Sequence, residues 1–266
     1  MTNTKSHRFK QGSTPLLVSF PHNGSHIPDP VAANMTEAGR TSRDTDWFLD
    51  RLYDLPELDD ASLIVAEQSR YVIDLNRPRD NQSLYPGRTT TGLIPMMRFD
   101  GQATYSVEPN AVEINRRIDT IWSPYHERID SELNRMIERF GTAVLIEAHS
   151  IEPVLPRLFE GRLPDFNIGT NRGESCAAGL SNCVTNVLQS QSQYTHVVNG
   201  RFLGGYITRN FGRPEEGRHA IQFELSQATY MDEVNKVWDA EKASSVQSVF
   251  RKIISEIKHW LTEQQN

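Results

Sequence analysis

Three short apolar segments of this chain each end in a side chain that can bind a metal or transfer a proton. The segments and their polar ends are 15–22 with His22, 143–150 with His149, and 220–224 with Glu224. Apolar runs of this length, separated by helical patterns, predict buried strands of a largely parallel sheet. In open α/β sheets, ligands bind outside the carboxyl ends of the strands. The three side chains are therefore expected to meet at one edge of the sheet.

The apolar pattern between these strands is helical. Apolar side chains recur at steps of three and four over 112–140, and Gly141 is expected to end that helix. A similar stripe over 246–261 predicts a second long helix that covers the sheet. Further strands are predicted at 62–66 and 71–75. Strands that alternate with helices predict an α/β fold of three layers, in which helices flank a mostly parallel or mixed central sheet.

Length and composition describe an ordinary globular chain. With 266 residues, 37% of them hydrophobic, the chain can bury a large core. One domain over 1–266 is expected, with a poorly ordered terminus at 1–12. The formal net charge of -6 argues against a nucleic-acid partner, and no apolar stretch approaches the roughly 18 residues that span a membrane. Segment 1–11 lacks the apolar core of a signal peptide, so a cytoplasmic location is expected.

Several histidines and aspartates of the chain offer ligands for a metal. His149 ends a run that should be buried, and a buried imidazole needs a partner, which is either a metal or a backbone carbonyl. His22 and His26 lie in one loop, where a histidine is either solvated or ligating. Catalytic zinc takes three protein ligands and leaves one position for water. Asp44 and Asp46 are the nearest acidic candidates, although aspartates there also suit a helix cap.

Glu224 and the arginines indicate catalysis on an anion. Burial at the end of a strand raises the pKa of a carboxyl, which suits a general base, whereas an arginine partner would make Glu224 structural. Arginines converging on a cleft bind carboxylates by paired hydrogen bonds. This local basicity in an acidic chain predicts a small anionic ligand. The two arginine-rich stretches contain Arg70, Arg77, Arg79 and Arg88, and Arg201, Arg209, Arg213 and Arg218.

Four separated segments, in chain order, resemble the N-formylglutamate amidohydrolase (deformylase) family. They are PHNGSHIP at 21–28, DTDW at 44–47, SRYVIDLNRP at 69–78 and GGYITR at 204–209. The resemblance extends over about residues 15–230. It implies hydrolysis of N-formyl-L-glutamate to formate and L-glutamate, which closes one route of histidine degradation.

Zinc carboxypeptidases provide a more distant likeness, which implies a similar fold and mechanism. That family has a His-Ser pair at the end of a strand, an Asn-Arg pair that binds the substrate carboxylate, and a Phe-Glu-Leu sequence that carries the catalytic glutamate. The corresponding residues here are His149-Ser150, Asn76-Arg77 and Phe223-Glu224-Leu225.

One position departs from the carboxypeptidase pattern. In that family a glutamate ligand follows the first histidine ligand by three residues, and here this position is Ser25. The third ligand must therefore come from another part of the chain. Asp46 is the first choice, Asp44 the second and His26 the third.

Together these residues predict a metal-dependent amidohydrolase. One divalent ion, with zinc preferred over Mn, Fe or Co, is expected on His22, Asp46 and His149, with Glu224 as the general base. Asn76 and Arg77 are expected at one substrate carboxylate, and Arg209 at the other. Glu147 is expected to orient a ligand or to form a core salt bridge. The alternatives are another N-acyl amino-acid amidohydrolase or carboxypeptidase-like peptidase, and a non-catalytic protein that binds acidic metabolites.

Overall fold

A computed structural model describes residues 5–84, 87 and 89–265. Its strands and α-helices alternate along most of the chain. The strands are β1 (His7–Lys10), β2 (Leu16–Phe20), β3 (Ser62–Ala66), β4 (Ala143–Ile151), β5 (Phe166–Gly169), β6 (His196–Val198), β7 (Arg218–Ser226), β8 (Met231–Asp232) and β9 (Val237–Trp238). The α-helices are α1 (Asp29–Ala32), α2 (Glu37–Arg40), α3 (Leu49–Leu52), α4 (Ala111–Arg117), α5 (Ser123–Phe140), α6 (Ala178–Ser190), α7 (Tyr206–Phe211) and α8 (Ala240–Glu263).

Within the described ranges, a seven-stranded sheet has the order β1-β3-β2-β4-β7-β5-β6. Strands β3, β2, β4 and β7 run parallel to one another. Strands β1 and β5 pair antiparallel to β3 and β7, so the sheet is mixed. The three segments predicted to end in polar side chains are β2, β4 and β7, which are adjacent. Their carboxyl ends therefore lie side by side, as expected from the sequence.

The two faces of the central strands differ at the carboxyl end. On one face, Val144, Ile146 and Ala148 of β4 pack into the core that includes α3, α6 and α8. On the other face, Ala143 and Leu145 pack into the core beneath α4, α5 and α7. Alternate residues of a strand share a face, so Glu147 and His149 continue this second row. The second face therefore changes from apolar to polar towards the edge where the strands end.

The predicted helix over 112–140 is present but is interrupted. A π-helical turn at Ile118–Trp122 joins α4 to α5, and Trp122 within it donates from Nε1 to the carbonyl of Arg77 at 2.9 Å. Gly141 ends α5 with a φ of 73°, a left-handed conformation that glycine adopts without steric cost. Among the described residues, no helix is long and apolar enough to cross a membrane.

Two expectations about the first strands differ from the structure. Residues 71–75 are buried but do not form a strand, and their apolar side chains pack instead into the core beneath α4, α5 and α7. Residues 1–12 were expected to be poorly ordered, yet His7–Lys10 forms the edge strand β1. Phe9 in this strand packs against the core, which favours its docking. Residues 1–4 lie outside the described part of the chain.

His126 on α5 lies in an aromatic cluster between α5 and α7. Its ring stacks on Trp122, with centroids 3.7 Å apart, and also contacts Tyr206 and Phe211 of α7. Its Nδ1 atom lies 2.8 Å from the carbonyl oxygen of Trp122, to which it donates. Burial lowers the pKa of His126 to about 4, although this hydrogen bond acts in the opposite direction. The ring is therefore neutral and links α5 to α7.

We expect His126 to make the fold sensitive to acid. Its pKa is about 4 when folded, against 6.5 for the ordinary histidine, so between these pH values the unfolded chain binds a proton that the folded chain does not. The contribution of the neutral His126 ring to the free energy of unfolding is therefore intact above the pKa of the unfolded histidine, and it declines as the pH falls towards the folded pKa. From about pH 7.5 to about pH 4.5 the loss is about 2–3 kcal/mol. Urea unfolding of the parent and of His126→Phe at both pH values measures it, and parallel losses in the two proteins would assign the proton elsewhere.

Candidate active site

Three buried donor groups meet where β2 and β4 end. His22 follows β2, His149 lies near the end of β4, and Asp46 belongs to the loop before α3. One donor atom from each residue lies within 4.8 Å of those from the other two. The three side chains are almost entirely buried. The fold therefore brings together the three residues that the sequence predicted as ligands.

Each histidine ring is held by a second carboxylate. His22 Nε2 lies 2.7 Å from Asp74 Oδ1, and His149 Nε2 lies 2.6 Å from Glu147 Oε1. The Nδ1 atoms of both rings face Asp46 Oδ2, at 3.8 Å from His22 and 3.0 Å from His149. Because an ionised carboxylate can only accept a hydrogen bond, Nε2 is protonated in both rings. Nδ1 is then the ring nitrogen that each histidine directs towards Asp46.

The two rings differ in basicity. Burial alone would lower the pKa of His149, but Glu147 and Asp46 together raise it well above the ordinary value. For His22, burial and then the positive charge of Arg70 lower the pKa, and the nearby aspartates only partly offset them. His22 is therefore the more easily deprotonated ring. A metal that binds His149 would displace the proton from its Nδ1.

The donor chemistry fits a divalent metal ion. Two imidazole nitrogens and a carboxylate oxygen are ligands that zinc accepts, and a three-residue set leaves a further position open. The carboxylates of Asp74 and Glu147 hold the far side of each ring, an arrangement that orients histidine ligands in metal sites. The group of His22, Asp46 and His149 could therefore bind a metal ion.

The structure separates Asp46 from the other candidates for the third ligand. The backbone N–H of Asp46 donates to the carbonyl of His22 at 3.0 Å, which ties its loop to the end of β2. Asp44 instead accepts a hydrogen bond from the backbone N–H of Phe99 at 2.7 Å. His26 is exposed. Of these three candidates, Asp46 is the one that belongs to the donor group.

A buried arginine balances the negative charges around the donors. Arg70 donates from Nη2 to Asp74 Oδ2 at 2.8 Å, and its Nη1 lies 3.9 Å from Asp46 Oδ1. The guanidinium also lies over the ring of Phe99, 4.8 Å from its centroid. Burial opposes ionisation of Asp74, yet His22 and Arg70 hold the pKa of its carboxyl well below the usual range. Asp74 therefore remains an acceptor for both its histidine and its arginine.

Glu224 lies beside the donor group. It is the direct neighbour of His149 in the pairing of β4 with β7. Burial raises its pKa to about 8, and the positive charge of His149 only partly opposes this effect. Gln222 donates from Nε2 to Glu224 Oε2 at 3.3 Å. A buried carboxyl of raised basicity beside a candidate metal site has the properties of a general base.

A cleft opens onto these groups and is rich in cations. Arg70, Arg77 and Arg201 line it together with the donor residues and Glu224. Phe99 and Phe202 contribute apolar surface to the same cleft. Three guanidinium groups in one cleft favour a ligand with negative charge.

Of the three residues predicted to bind the substrate, two line the cleft and the third is not among the described residues that do. Arg77 and Asn76 both line the cleft. The Asn76 Oδ1 atom accepts from the backbone N–H of Ile207 at 3.0 Å, and its Nδ2 atom lies 3.0 Å from His149 Nε2. Arg209, which was expected at a substrate carboxylate, is not among the described residues that line the cleft. Its Nε donates to the carbonyl of Gly204 at 2.8 Å and its Nη1 to the carbonyl of Leu84 at 3.3 Å, so the guanidinium links the start of α7 to the loop that follows Arg77.

Asp74 and Gln222 are site residues that the sequence reasoning did not identify. Asp74 lies in segment 71–75, which was predicted as a strand without a role for its carboxylate. Gln222 lies two residues before Glu224, and the two-residue period of a strand places both on one face. The same period relates Glu147 to His149. Reading the predicted strands in steps of two from each polar end was therefore the signal that could have identified Gln222.

A family model and two named proteins match this chain over most of its length, and all three belong to the same family. The family model described as N-formylglutamate amidohydrolase matches residues 14–231. A protein from Pseudomonas aeruginosa named N-formylglutamate deformylase is 46% identical over 255 residues, which are 95% of this chain and 96% of that protein. A protein of the same name from Pseudomonas putida is 43% identical over 258 residues, 96% of each chain.

Solved structures show the same architecture. The crystal structure of N-formylglutamate amidohydrolase from Ralstonia eutropha JMP134 superposes with a TM-score of 0.83 at 23% identity, covering 97% of this chain and 99% of that chain. A gene product from Agrobacterium tumefaciens superposes with a TM-score of 0.70 at 18% identity, covering 96% and 97%. At these identities the likeness concerns the fold. The predicted α/β architecture, a mixed sheet flanked by helices, is confirmed.

Proposed function

The chain belongs to the N-formylglutamate amidohydrolase family, and from this we propose that it is a metal-dependent hydrolase that converts N-formyl-L-glutamate to formate and L-glutamate. The relatives named N-formylglutamate deformylase, at 43–46% identity over almost their full lengths, support this reaction. Its place at the end of a histidine-degradation route and a cytoplasmic location remain predictions from the sequence.

One structural observation carries the proposal. The three-donor group of His22, Asp46 and His149, the buried carboxyl of Glu224 and three arginines face a single cleft. Hydrolysis of an amide that carries two carboxylates needs an electrophile, a base and cationic contacts. A protein that only binds acidic metabolites would have no use for a base beside a metal site.

In the proposed mechanism, His22, Asp46 and His149 hold the metal, with zinc as the preferred ion. When bound, this ion would act as a Lewis acid on the formyl oxygen and make an attacking water more acidic. Glu224 accepts the proton of that water and then delivers it to the amine nitrogen of the departing glutamate. Burial of Glu224 serves both steps, because a carboxyl whose pKa is about 8 can both accept and donate a proton near neutral pH.

The arginines of the cleft would bind the two substrate carboxylates. Arg77 is assigned to one of them, with Asn76 beside it in the cleft wall. Arg201 is assigned to the other in place of Arg209, since Arg201 lines the cleft and Arg209 does not. Arg201 Nη2 donates to the carbonyl of Leu158 at 3.0 Å, which holds the guanidinium at the cleft wall. Two cations in one cleft match the two negative charges of the substrate.

Activity is tested by release of formate from N-formyl-L-glutamate and N-formylmethionine, by release of acetate from N-acetylglutamate, and by peptide cleavage. We expect turnover of N-formylglutamate above the others. Glu224→Gln should lower kcat by about 10²–10⁴-fold while the protein still binds metal, because the amide cannot accept the proton. Glu127→Gln, at an exposed position of α5, is the matched control and should retain parental kcat. Near-parental turnover in Glu224→Gln would show that another group is the base.

The third ligand is tested by the metal content of two aspartate variants. Asp46→Ala should lose zinc affinity by about a hundredfold or more, because it removes one of three ligands. Asp44→Ala should keep the parental zinc stoichiometry, since its carboxylate accepts from Phe99 instead. Equilibrium dialysis followed by elemental analysis measures both. Full metal retention in Asp46→Ala would remove this residue from the ligand set.

The assignment of the second carboxylate is tested by the KM values of two arginine variants. Arg201→Met should raise KM for N-formylglutamate about 10–100-fold, as expected for loss of a charge-assisted hydrogen bond. Arg209→Met should change KM by less than about threefold, since less than 1 kcal/mol of substrate binding would be lost. Steady-state kinetics with both proteins decides between them. The reverse pattern would restore Arg209, the residue predicted from the sequence.

A further inference from the structure

The glycine-rich segment before α7 and the first turn of α7 have no role in the proposed chemistry, yet together they donate three backbone hydrogen bonds to side chains of the site. The first N–H groups of a helix have no partner within the helix. Here three of the N–H groups at and just before the start of α7 donate to site side chains. Gly205 donates to Gln222 Oε1 at 2.6 Å, Ile207 to Asn76 Oδ1 at 3.0 Å, and Thr208 to Glu147 Oε2 at 2.8 Å.

Each of the three acceptors presents its other polar atom to the site. Glu147 Oε1 accepts from His149 Nε2 at 2.6 Å, and Asn76 Nδ2 lies 3.0 Å from the same nitrogen. Gln222 Nε2 donates to Glu224 Oε2 at 3.3 Å. A backbone N–H can only donate, so it selects the oxygen of each amide and directs the NH₂ group to the opposite side. The start of α7 thereby sets the orientation of both amides.

We propose that the start of α7 is a positioning element, which holds the metal ligand His149 through Glu147 and the base Glu224 through Gln222. This inference rests on the proposed function, because it takes His149 as a ligand and Glu224 as the base. Thr208 is its key residue, since its hydroxyl donates to the same Glu147 Oε2 as its backbone N–H. Two donors from one residue fix the carboxylate that in turn orients His149.

Gly204 and Gly205 are required for different reasons, one for its backbone conformation and the other for close packing. Gly204 has a φ of 118°, which side chains other than hydrogen rarely allow. A Cβ on Gly205 would lie 2.1 Å from Asn76 Nδ2, far inside contact distance. Any larger residue at 205 would therefore push Asn76 away from α7. The close approach that glycine permits is what allows the backbone N–H groups to reach the site side chains.

The hydroxyl of Thr208 can be removed with little change of shape. Thr208→Val replaces it with a methyl group, and Thr208→Ser keeps it while removing a methyl group. The matched control is Thr185→Val on α6, where the lost hydroxyl bonds only to the carbonyl of Ser181. The full-length protein is stripped of metal, and the Kd for Zn²⁺ is measured by competition with a chromophoric chelator. Thermal unfolding of the metal-free proteins checks that each variant folds.

We expect Thr208→Val to weaken Zn²⁺ binding about tenfold or more, because mutation of the residues that orient metal-bound histidines typically has an effect of this size. Thr208→Ser should stay close to the parent, and so should Thr185→Val. A parental Zn²⁺ Kd in Thr208→Val overturns the proposal, and so does equal weakening in Thr208→Ser, which would indicate packing rather than the hydroxyl. If the parent itself neither binds Zn²⁺ nor releases formate, the proposed function fails as well, whereas a parent that does both isolates the failure to α7.

Gln222→Glu tests the second part of the proposal, in which α7 holds Glu224 through Gln222. It keeps an oxygen for the N–H of Gly205 but replaces the donor beside Glu224 with another acceptor. We expect kcat to fall at least about tenfold, with KM and Zn²⁺ affinity close to parental values. A purely structural role for Gln222 would instead alter KM, Zn²⁺ affinity and thermal stability together. That pattern, or an unchanged kcat, would overturn the role of α7 in holding Glu224.

Discussion

Four carboxyl groups are buried together at one edge of the sheet, and the rest of the site depends on how their charges are balanced. They belong to Asp46, Asp74, Glu147 and Glu224. Removing a carboxylate from water costs several kcal/mol unless a charge or hydrogen bonds replace the solvent. The first three each lie beside a histidine ring nitrogen, and Arg70 adds a positive charge between two of them.

Glu224 is the member of this group with the weakest compensation. Its carboxyl accepts from the neutral amide of Gln222 at 3.3 Å, whereas Asp74 accepts from both a histidine and an arginine. The result is visible in the basicities, since the pKa of Asp74 lies well below the usual range and that of Glu224 rises to about 8. Two carboxyls of the same cluster are thereby suited to different tasks. Asp74 is suited to be a fixed acceptor, and Glu224 to the proton transfer that we propose for it.

The architecture could be read from the chain because strands and helices leave local signals. The segments ending at His22, His149 and Glu224 are adjacent parallel strands, and the helix over 112–140 is present up to Gly141. Segment 71–75 misled the prediction because its apolar residues are buried without pairing in the sheet. Burial and strand formation give the same apolar pattern in a short segment. Here the apolar side chains pack into the core beneath α4, α5 and α7, which is a contact between distant parts of the chain.

By itself, the sequence determined the central strands and the long helices, the edge of the sheet where the site lies, and which residue types could carry the chemistry. It did so because strand periodicity and apolar runs are local properties. The tertiary structure decided between residues that look alike in sequence. Asp46 joins the histidines, whereas Asp44 accepts from a backbone N–H. Arg201 lines the cleft, whereas Arg209 donates to the backbone carbonyls of Gly204 and Leu84. Such choices depend on where a loop or helix packs against distant segments, and no local pattern records that packing.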